Sequence, residues 1–361
     1  MSGDGRRVLV AGFATRHVVQ SAYRAGYLPY AVDHFCDQDL SWYTEDRIRF
    51  DDLTELPSCI QVMCERHPID LMVVTSGAEQ VTSCVPLLGT PSNTIDRMLD
   101  KLETGQFFKE YGISTPPPVE EGDYPAMLKP RRGAGGWRNR IIRNAAERDA
   151  WVAEFENTPY LLQNVVQGIP ASVSCLSDGH RAVAIATNEQ ILRDSKEAPY
   201  GFSGSVTPFT HSLNHLMVRF AERTAAACGC IGSIGIDFVM GDTPWAIEIN
   251  PRFQATVDTI EMAYDCNMFQ FHLNACRGIL PTVPLSVKGY AVRKILFADK
   301  DMTLSCDLRR FHPTVADIPW PGSFFEEGEA IVSVFGTGRT REDALDLLNT
   351  NITSIRRYIH Q

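Results

Sequence analysis

Ser233–Gln254, SIGIDFVMGDTPWAIEINPRFQ, is the stretch on which the fold turns. Ile234, Ile236 and Phe238 alternate with Gly235, Asp237 and Val239, the period of two that marks a half-buried strand. Gly241-Asp242-Thr243-Pro244 is turn chemistry, and Trp245–Asn250 returns as a second strand. A turn centred on Asp242-Thr243 sets Asp237 directly opposite Glu248, and Asn250, two residues on, shares that face. Like charges opposed across a hairpin destabilise it. A hard cation that takes oxygen ligands, such as Mg²⁺, relieves the repulsion. A solvated polar face is the plainer alternative for acidic residues. Here Asn250-Pro251-Arg252 places a cation beside the anionic patch, which favours a metal site of Asp237, Glu248 and Asn250.

Working outward, the chain offers further phosphate-binding chemistry. Pro125–Lys129 reads as a strand ending in a charge, followed by Pro130-Arg131-Arg132-Gly133-Ala134-Gly135-Gly136. Glycines let backbone N–H groups approach an anion, and a lysine supplies a mobile positive charge. The plainer alternative is a surface hairpin with a flexible turn. No Gly-Lys-Ser/Thr follows, so this is not a P-loop. Upstream, Thr94–Tyr111 is expected as a helix closed by Gly112, with Asp100-Lys101 inside it; alone, that pair reads as a surface ion pair.

Asp237 followed by Glu248-Ile249-Asn250-Pro251-Arg252 resembles the metal-binding signature of the ATP-grasp superfamily. Its members are mostly ATP-dependent ligases that join a carboxylic acid to an amine or another nucleophile through an acyl phosphate. The other parts come in family order. Lys101 and Lys129 match the lysines that contact nucleotide phosphates, and Gly133, Gly135 and Gly136 match the loop that closes over them. Gln163, Asn164 and Val166 match the hinge whose backbone meets the adenine edge. Arg252 is placed by the resemblance as the catalytic arginine. One departure stands out: relatives often put a Glu soon after the hinge glycine to hold the ribose, and this chain has Pro170-Ala171-Ser172.

The N-terminal strands expected at Arg7–Ala11, Tyr27–Val32 and Leu71–Val74 alternate with helices, as in a parallel α/β unit. Ligands of such sheets sit beyond the carboxyl ends of the strands, near Gly12, Asp33 and Ser76–Glu79. There is no G-x-G-x-x-G. Gln190–Pro208 is polar and is expected as a long loop, and long loops in compact domains are often functional. It supplies Arg193 and Lys196 as substrate-side candidates, with Arg293 on the strand Gly289–Phe297. Exposed basic residues usually have no specific role, which is the plainer alternative for each.

Hydrophobic content of 44% with 22% charged residues fits a soluble globular protein, and 361 residues suffice for two or three subdomains. The formal net charge of −10 argues against broad nucleic-acid or anionic-membrane binding. No export signal or 18-residue apolar span is visible, so a cytoplasmic location with reduced thiols is expected for the ten scattered cysteines. The expected class is α/β with α+β subdomains: an ATP-grasp fold behind a Rossmann-like pre-ATP-grasp domain. The expected division is 1–90 for that domain, 91–290 for the ATP-grasp domain with a lid over about 113–187, and 291–361 for a C-terminal α/β extension packed on the core.

The resemblance implies ATP with Mg²⁺ (or Mn²⁺), small-molecule acid and amine substrates, and no nucleic acid or membrane partner. Many relatives are dimers, so it admits a homodimer. Two other functions stand beside the ligase. One is a bicarbonate-using carboxylase working through carboxyphosphate. The other is a nucleotide-binding protein without turnover, supported only by the missing ribose Glu.

Overall fold

The computed structural model describes residues 5–360. The chain begins with four parallel strands, β1 (Arg7–Gly12), β2 (Leu28–Asp33), β3 (Asp46–Arg49) and β4 (Leu71–Val74), in the order β3-β2-β1-β4. β1, β2 and β4 are mostly apolar and buried because both faces are covered, as in a parallel sheet fed by helices, whereas the edge strand β3 is charged and only partly buried. Helices α1 (Arg16–Arg24) and α2 (Leu56–Arg66) supply the covering faces.

Helices α3 (Ser92–Leu99) and α4 (Lys101–Glu110) replace the single helix expected over Thr94–Tyr111. The break is Asp100, which is extended (φ −95°, ψ 114°) and whose carboxylate accepts the Leu102 N–H at 2.9 Å. An aspartate at this position caps a new helix better than it continues an old one. Lys101 therefore begins α4. At the other end Gly112, with φ of 59°, closes α4, and the Ile113 N–H reaches back to the Phe108 carbonyl.

A small antiparallel sheet, β6-β5-β7, follows: β5 (Ala126–Pro130), β6 (Arg140–Ile142) and, after α5 (Ala145–Glu154), β7 (Tyr160–Asn164). It has its own core of Ala126, Leu128, Ile142, Trp151 and Leu162. The remaining chain builds one antiparallel sheet of eight strands. These are β8 (Ile169–Asp178), β9 (Ala182–Leu192), β10 (Phe202–Thr207), β11 (Ile231–Met240), β12 (Pro244–Asn250), β13 (Tyr290–Phe297), β15 (Val315–Ala316) and β17 (Ala330–Gly338). Their order is β12-β11-β8-β9-β10-β13-β17-β15, so the strands beyond residue 290 extend the same sheet. The short pair β14 (Met302–Thr303) and β16 (Phe324–Phe325) stands apart. Helices α6 (Asn214–Ala227), α7 (Val257–Tyr264), α8 (Met268–Ala275) and α9 (Arg341–Ile359) complete the fold.

The long loop expected over Gln190–Pro208 is strand at both ends, the close of β9 and the whole of β10; residues 193–201 and Pro208 are irregular. The polar residues of β10, Ser203, Ser205 and Thr207, are inside the protein. Thr207 is fully buried and its hydroxyl donates to Asn188 Oδ1 at 2.7 Å. Buried polar groups that satisfy one another leave no apolar alternation for a sequence to display.

The parallel sheet is fastened to the large one by a shared core that runs from Val8, Val10 and Val18 to Phe253, Ile260 and Phe269. A buried ion network adds to it. Arg16 holds Asp258 in a bidentate pair at 2.8 and 2.5 Å and Asp317 at 2.9 Å. Among the described residues no helix is long and apolar enough to cross a membrane.

Candidate active site

The hairpin β11–β12 delivers Asp237 opposite Glu248, though by a different route from the one its alternation implies. Met240 pairs with Pro244, so the turn is the three residues Gly241–Thr243 and its centre lies on Asp242. Carried through without interruption, that register would set Asp237 against Ile247. A bulge between the Phe238–Ala246 and Asp237–Glu248 pairs takes up the extra residue and restores the two carboxylates to one face. The Asn250 amide lies between them, donating to Asp237 Oδ2 at 3.2 Å and to Glu248 Oε1 at 3.4 Å. Its oxygen accepts from Arg252 Nη2 at 3.0 Å.

Two lysines face this patch. Lys101 Nζ, at the start of α4, lies 3.1 Å from Glu248 Oε2 and donates to the Gly133 carbonyl at 2.6 Å. Lys129, at the end of β5, is 4% exposed. Burial, reinforced by the Lys101 charge, lowers its ammonium to about 8, with Glu248 opposing. Burial and then the neighbouring Glu248 push Asp237 up to about 7, while a hydrogen bond from Gln190 works the other way. Burial also works against the Glu248 charge, but Lys101, Lys129 and Arg252 outweigh it and hold that carboxyl below its ordinary value. One carboxylate is neutralised by lysine and the other is not, so the patch retains a demand for positive charge.

Among the described residues no three His, Cys, Asp or Glu side chains gather as a metal-ligand group. The donor set at the hairpin is two carboxylates and an amide, all oxygen donors of the kind a hard cation takes. These residues fit Mg²⁺ or Mn²⁺. As placed, the Asn250 amide offers the carboxylates its nitrogen, so serving a cation requires the amide to turn over.

The glycine loop lies over the same space and is docked at both ends. The Lys101 N–H donates to the Arg131 carbonyl at 2.8 Å, and Phe202 N–H to the Gly135 carbonyl at 3.1 Å. Gly136, at φ 69°, sits so close to the Tyr200 carbonyl that a Cβ would collide with it. The Arg131 guanidinium grips Asp100 at 2.6 and 3.1 Å. Between loop and hairpin is a cavity of about 330 Å³ whose lining includes Lys101, Gly133, Gly135, Gly136, Asp237 and Glu248. Asn250 and Arg252 border it as well.

Other anticipated residues lie elsewhere. Gln163, Asn164 and Val166 are not among the residues that line the cavity. The buried Gln163 amide donates to the Pro116 carbonyl at 3.1 Å, stitching β7 to the proline segment. Arg193 lays its guanidinium over the Phe297 ring, 3.9 Å from the centroid, and donates to the Gly328 carbonyl at 2.8 Å. Lys196 is exposed on the 193–201 loop. Arg293 is buried in the ion network, donating to Ser333, to the Ala255 carbonyl and to Asp317.

A partner for Arg252 comes from the N-terminal sheet. Glu79, just beyond β4, accepts from Arg252 Nε at 2.8 Å, and both side chains are nearly buried. The position of Ser76–Glu79 at a strand end was the available signal; that it meets Arg252 was not legible.

Comparison with known proteins agrees with this geometry. Residues 98–256 match the ATP-grasp domain family. An uncharacterized protein of Methanocaldococcus jannaschii is 25% identical over 375 residues, which span 96% of this chain and 91% of that one. The biotin carboxylase domain of Hydrogenobacter thermophilus 2-oxoglutarate carboxylase, solved with MgADP and bicarbonate, superposes with a TM-score of 0.78 at 15% identity, over 96% of this chain and 89% of that one. Phosphoribosylamine–glycine ligase of Thermotoga maritima gives 0.73 at 17% identity over 96% of each chain. An L-amino acid ligase of Bacillus licheniformis gives 0.71 at 14% identity over 97% of each. Strand order, docked glycine loop and paired carboxylates thus fall together with a matching family, and residues 98–256 carry an ATP-grasp domain.

Proposed function

We propose that this protein is an ATP- and Mg²⁺-dependent ligase that joins a carboxylic acid to an amine through an acyl phosphate, releasing ADP and phosphate. The observation that carries the proposal is the pairing of Asp237 with Glu248 under two buried lysines and a glycine loop. A carboxylate is a poor electrophile because its oxygen is a poor leaving group. Attack of that oxygen on the γ-phosphorus of ATP makes an acyl phosphate and expels ADP; attack of the amine on the carbonyl then expels phosphate. The transferring group is strongly anionic, so catalysis is mostly positioning and charge stabilisation.

In this reading Asp237, Glu248 and Asn250 would hold the cation, which would supply positive charge to offset that of the phosphates. Lys101 and Lys129 neutralise the phosphates. Gly133, Gly135 and Gly136 close over them and exclude water that would hydrolyse the intermediate. The backbone of Gln163–Val166 meets the adenine, and Arg252, released from Glu79, meets the acid or its acyl phosphate. Residues 1–90 form the acceptor-side unit, 91–290 the ATP-binding unit with its lid, and 291–361 an extension of the large sheet.

ADP and phosphate release from Mg·ATP across a panel of carboxylic acids, each with and without amines and with bicarbonate, tests the proposal. Release that requires an acid plus an amine is expected, with Glu248→Gln as the blank. Release that depends on bicarbonate alone would replace the ligase by a carboxylase. Tight ATP binding without release under any pairing would move the protein to the non-catalytic class.

A further inference from the structure

Elsewhere in this molecule an arginine that grips a carboxylate does so along its Nε–Nη2 edge. Arg131 takes Asp100 that way at 3.1 and 2.6 Å, and Arg181 takes Asp178 at 2.9 and 2.6 Å. Two parallel N–H bonds to one carboxylate are the strong form of this contact. In Arg252 the same edge is divided. Nε donates to Glu79 Oε1 at 2.8 Å, and Nη2 donates to Asn250 Oδ1 at 3.0 Å. Nη1 is held by the Phe253 carbonyl, also at 3.0 Å. Arg252 and Asn250 both border the cavity, and the Arg252 side chain is 10% exposed. The edge that would take a substrate carboxylate is thus closed by two residues of the chain itself.

One of those two, Asn250, is also a candidate cation ligand. A primary amide accepts through its oxygen and donates through its nitrogen. The Asn250 nitrogen faces Asp237 Oδ2 and Glu248 Oε1, and its oxygen faces Arg252. These neighbours dictate that orientation, because an ionised carboxylate only accepts and a guanidinium only donates. Serving a cation reverses both ends of the amide. Its oxygen then faces the carboxylates and its nitrogen faces Arg252 Nη2, so two donors meet and neither has an acceptor. A charged donor left without a partner in a nearly enclosed site is costly. A carboxylate that enters the cavity supplies the missing acceptor.

We infer that the Asn250 amide couples the cation to the acid substrate. With the amide oxygen on Arg252 the acid's place is closed; with that oxygen turned to the cation, Nη2 is open to the acid's carboxylate. Glu79 then gives up Nε and keeps its bond from the Gly77 N–H, 2.8 Å from Oε2. The inference rests on the ligase reading for the identity of the anion, whereas competition for the amide oxygen is independent of turnover. Such coupling is reciprocal, so the acid tightens the cation by the factor by which the cation tightens the acid. One hydrogen bond to a charged group corresponds to about tenfold or more in either constant.

Titration of the protein with Mn²⁺, read by the EPR signal of the free ion, tests the competition without ATP. Arg252→Lys keeps the charge beside Glu79 but lacks the fork that reaches Asn250. It is expected to tighten Mn²⁺ about tenfold, and less than about twofold when Asn250→Ala is also present. Equal effects in the two backgrounds, or no effect in either, overturn the inference, as does failure of the wild type to bind Mn²⁺. If Arg252→Lys unfolds well below the wild-type midpoint, Arg252→Gln takes its place in the same two backgrounds, and the cycle cancels its change of charge.

Phosphate release across the acid panel separates this from the ligase proposal. The acid that supports release is expected to tighten Mn²⁺ about tenfold in the wild type and not in Asn250→Ala, and an unchanged wild-type affinity overturns the inference. A background-dependent effect of Arg252→Lys without acid-supported release keeps the competition for the amide and removes the ligase. Release with equal effects in both backgrounds keeps the ligase and removes the coupling.

Discussion

The carboxylate hairpin and the glycine loop face each other across one cavity and are held by unlike forces. The hairpin belongs to an eight-stranded sheet, its β11 paired along its whole length with β8, and its apolar face is buried among Val173, Met217 and Ala221. The loop hangs from a three-stranded sheet with a small core of its own, and reaches the cavity through single backbone bonds and the Arg131–Asp100 pair. Positions that must hold charge are set by strand register, which cannot slip without turning a buried face outward. The part that must admit and release a nucleotide is set by contacts worth about 1 kcal/mol each.

The largest effect should come from the rigid side. Glu248→Gln keeps the shape but removes the charge opposite Asp237 and the partner of Lys101. Mg-dependent ATP turnover is expected to fall by about 10³-fold or more, on the scale of losing a principal charge-stabilising group. Retention of activity in a phosphate-release assay would remove the hairpin from the site. Lys129→Ala comes next. Loss of one buried charge-assisted contact to phosphate is worth about 1.5–3 kcal/mol, so ATP affinity should weaken about 10–100-fold by calorimetry. An unchanged affinity would exclude that lysine.

Gly136→Ala tests the movable side. The new Cβ meets the Tyr200 carbonyl in a left-handed conformation, a strain of about 1–2 kcal/mol. ATP turnover is expected to drop about tenfold while the unfolding midpoint changes little, because the loop is not part of a large core. A large loss of global stability would show that the loop is as integral as the hairpin.

Protons and cations should compete at the hairpin. Asp237 titrates near 7 in the folded protein against 3.8 for an ordinary carboxyl. Its contribution to metal-free stability is therefore present below about pH 4 and is lost as pH rises to 7, where two like charges come to face each other. Saturating Mg²⁺ should raise the melting temperature by about 5 °C at pH 8 and by much less at pH 5.5. Asp237→Asn should abolish that difference, and an equal Mg²⁺ effect at both pH values would place the cation elsewhere. The smallest effect is expected of Arg131→Ala, an ion pair with a partly exposed arginine at the loop's edge. A two- to threefold change in the KM for ATP matches about 0.5 kcal/mol for such a pair.

The hairpin also shows how sequence can reach the right pairing by an inexact path. Alternation set Asp237 against Glu248, yet the turn centre lies half a residue away and the bulge at Ile247 makes up the difference. Period-two patterning reports faces, and a bulge is invisible to it until the partner strand is known. Asp100 broke an expected helix because its cap depends on a carboxylate that Arg131 also claims from a distant loop. Ser205 and Thr207 read as loop because their burial is met by Asn188 and Thr259, partners no local pattern names.

What the sequence determined by itself was the order of the chemistry-bearing residues and the strand and turn tendencies around them, since these depend on neighbours two to four positions away. The tertiary structure alone decided that Glu79 would hold Arg252, 173 residues distant, that Lys101 would rest on Glu248, and that Arg293 would serve an ion network. Such meetings are fixed by which strands lie side by side, and strand order is a property of the whole packed chain.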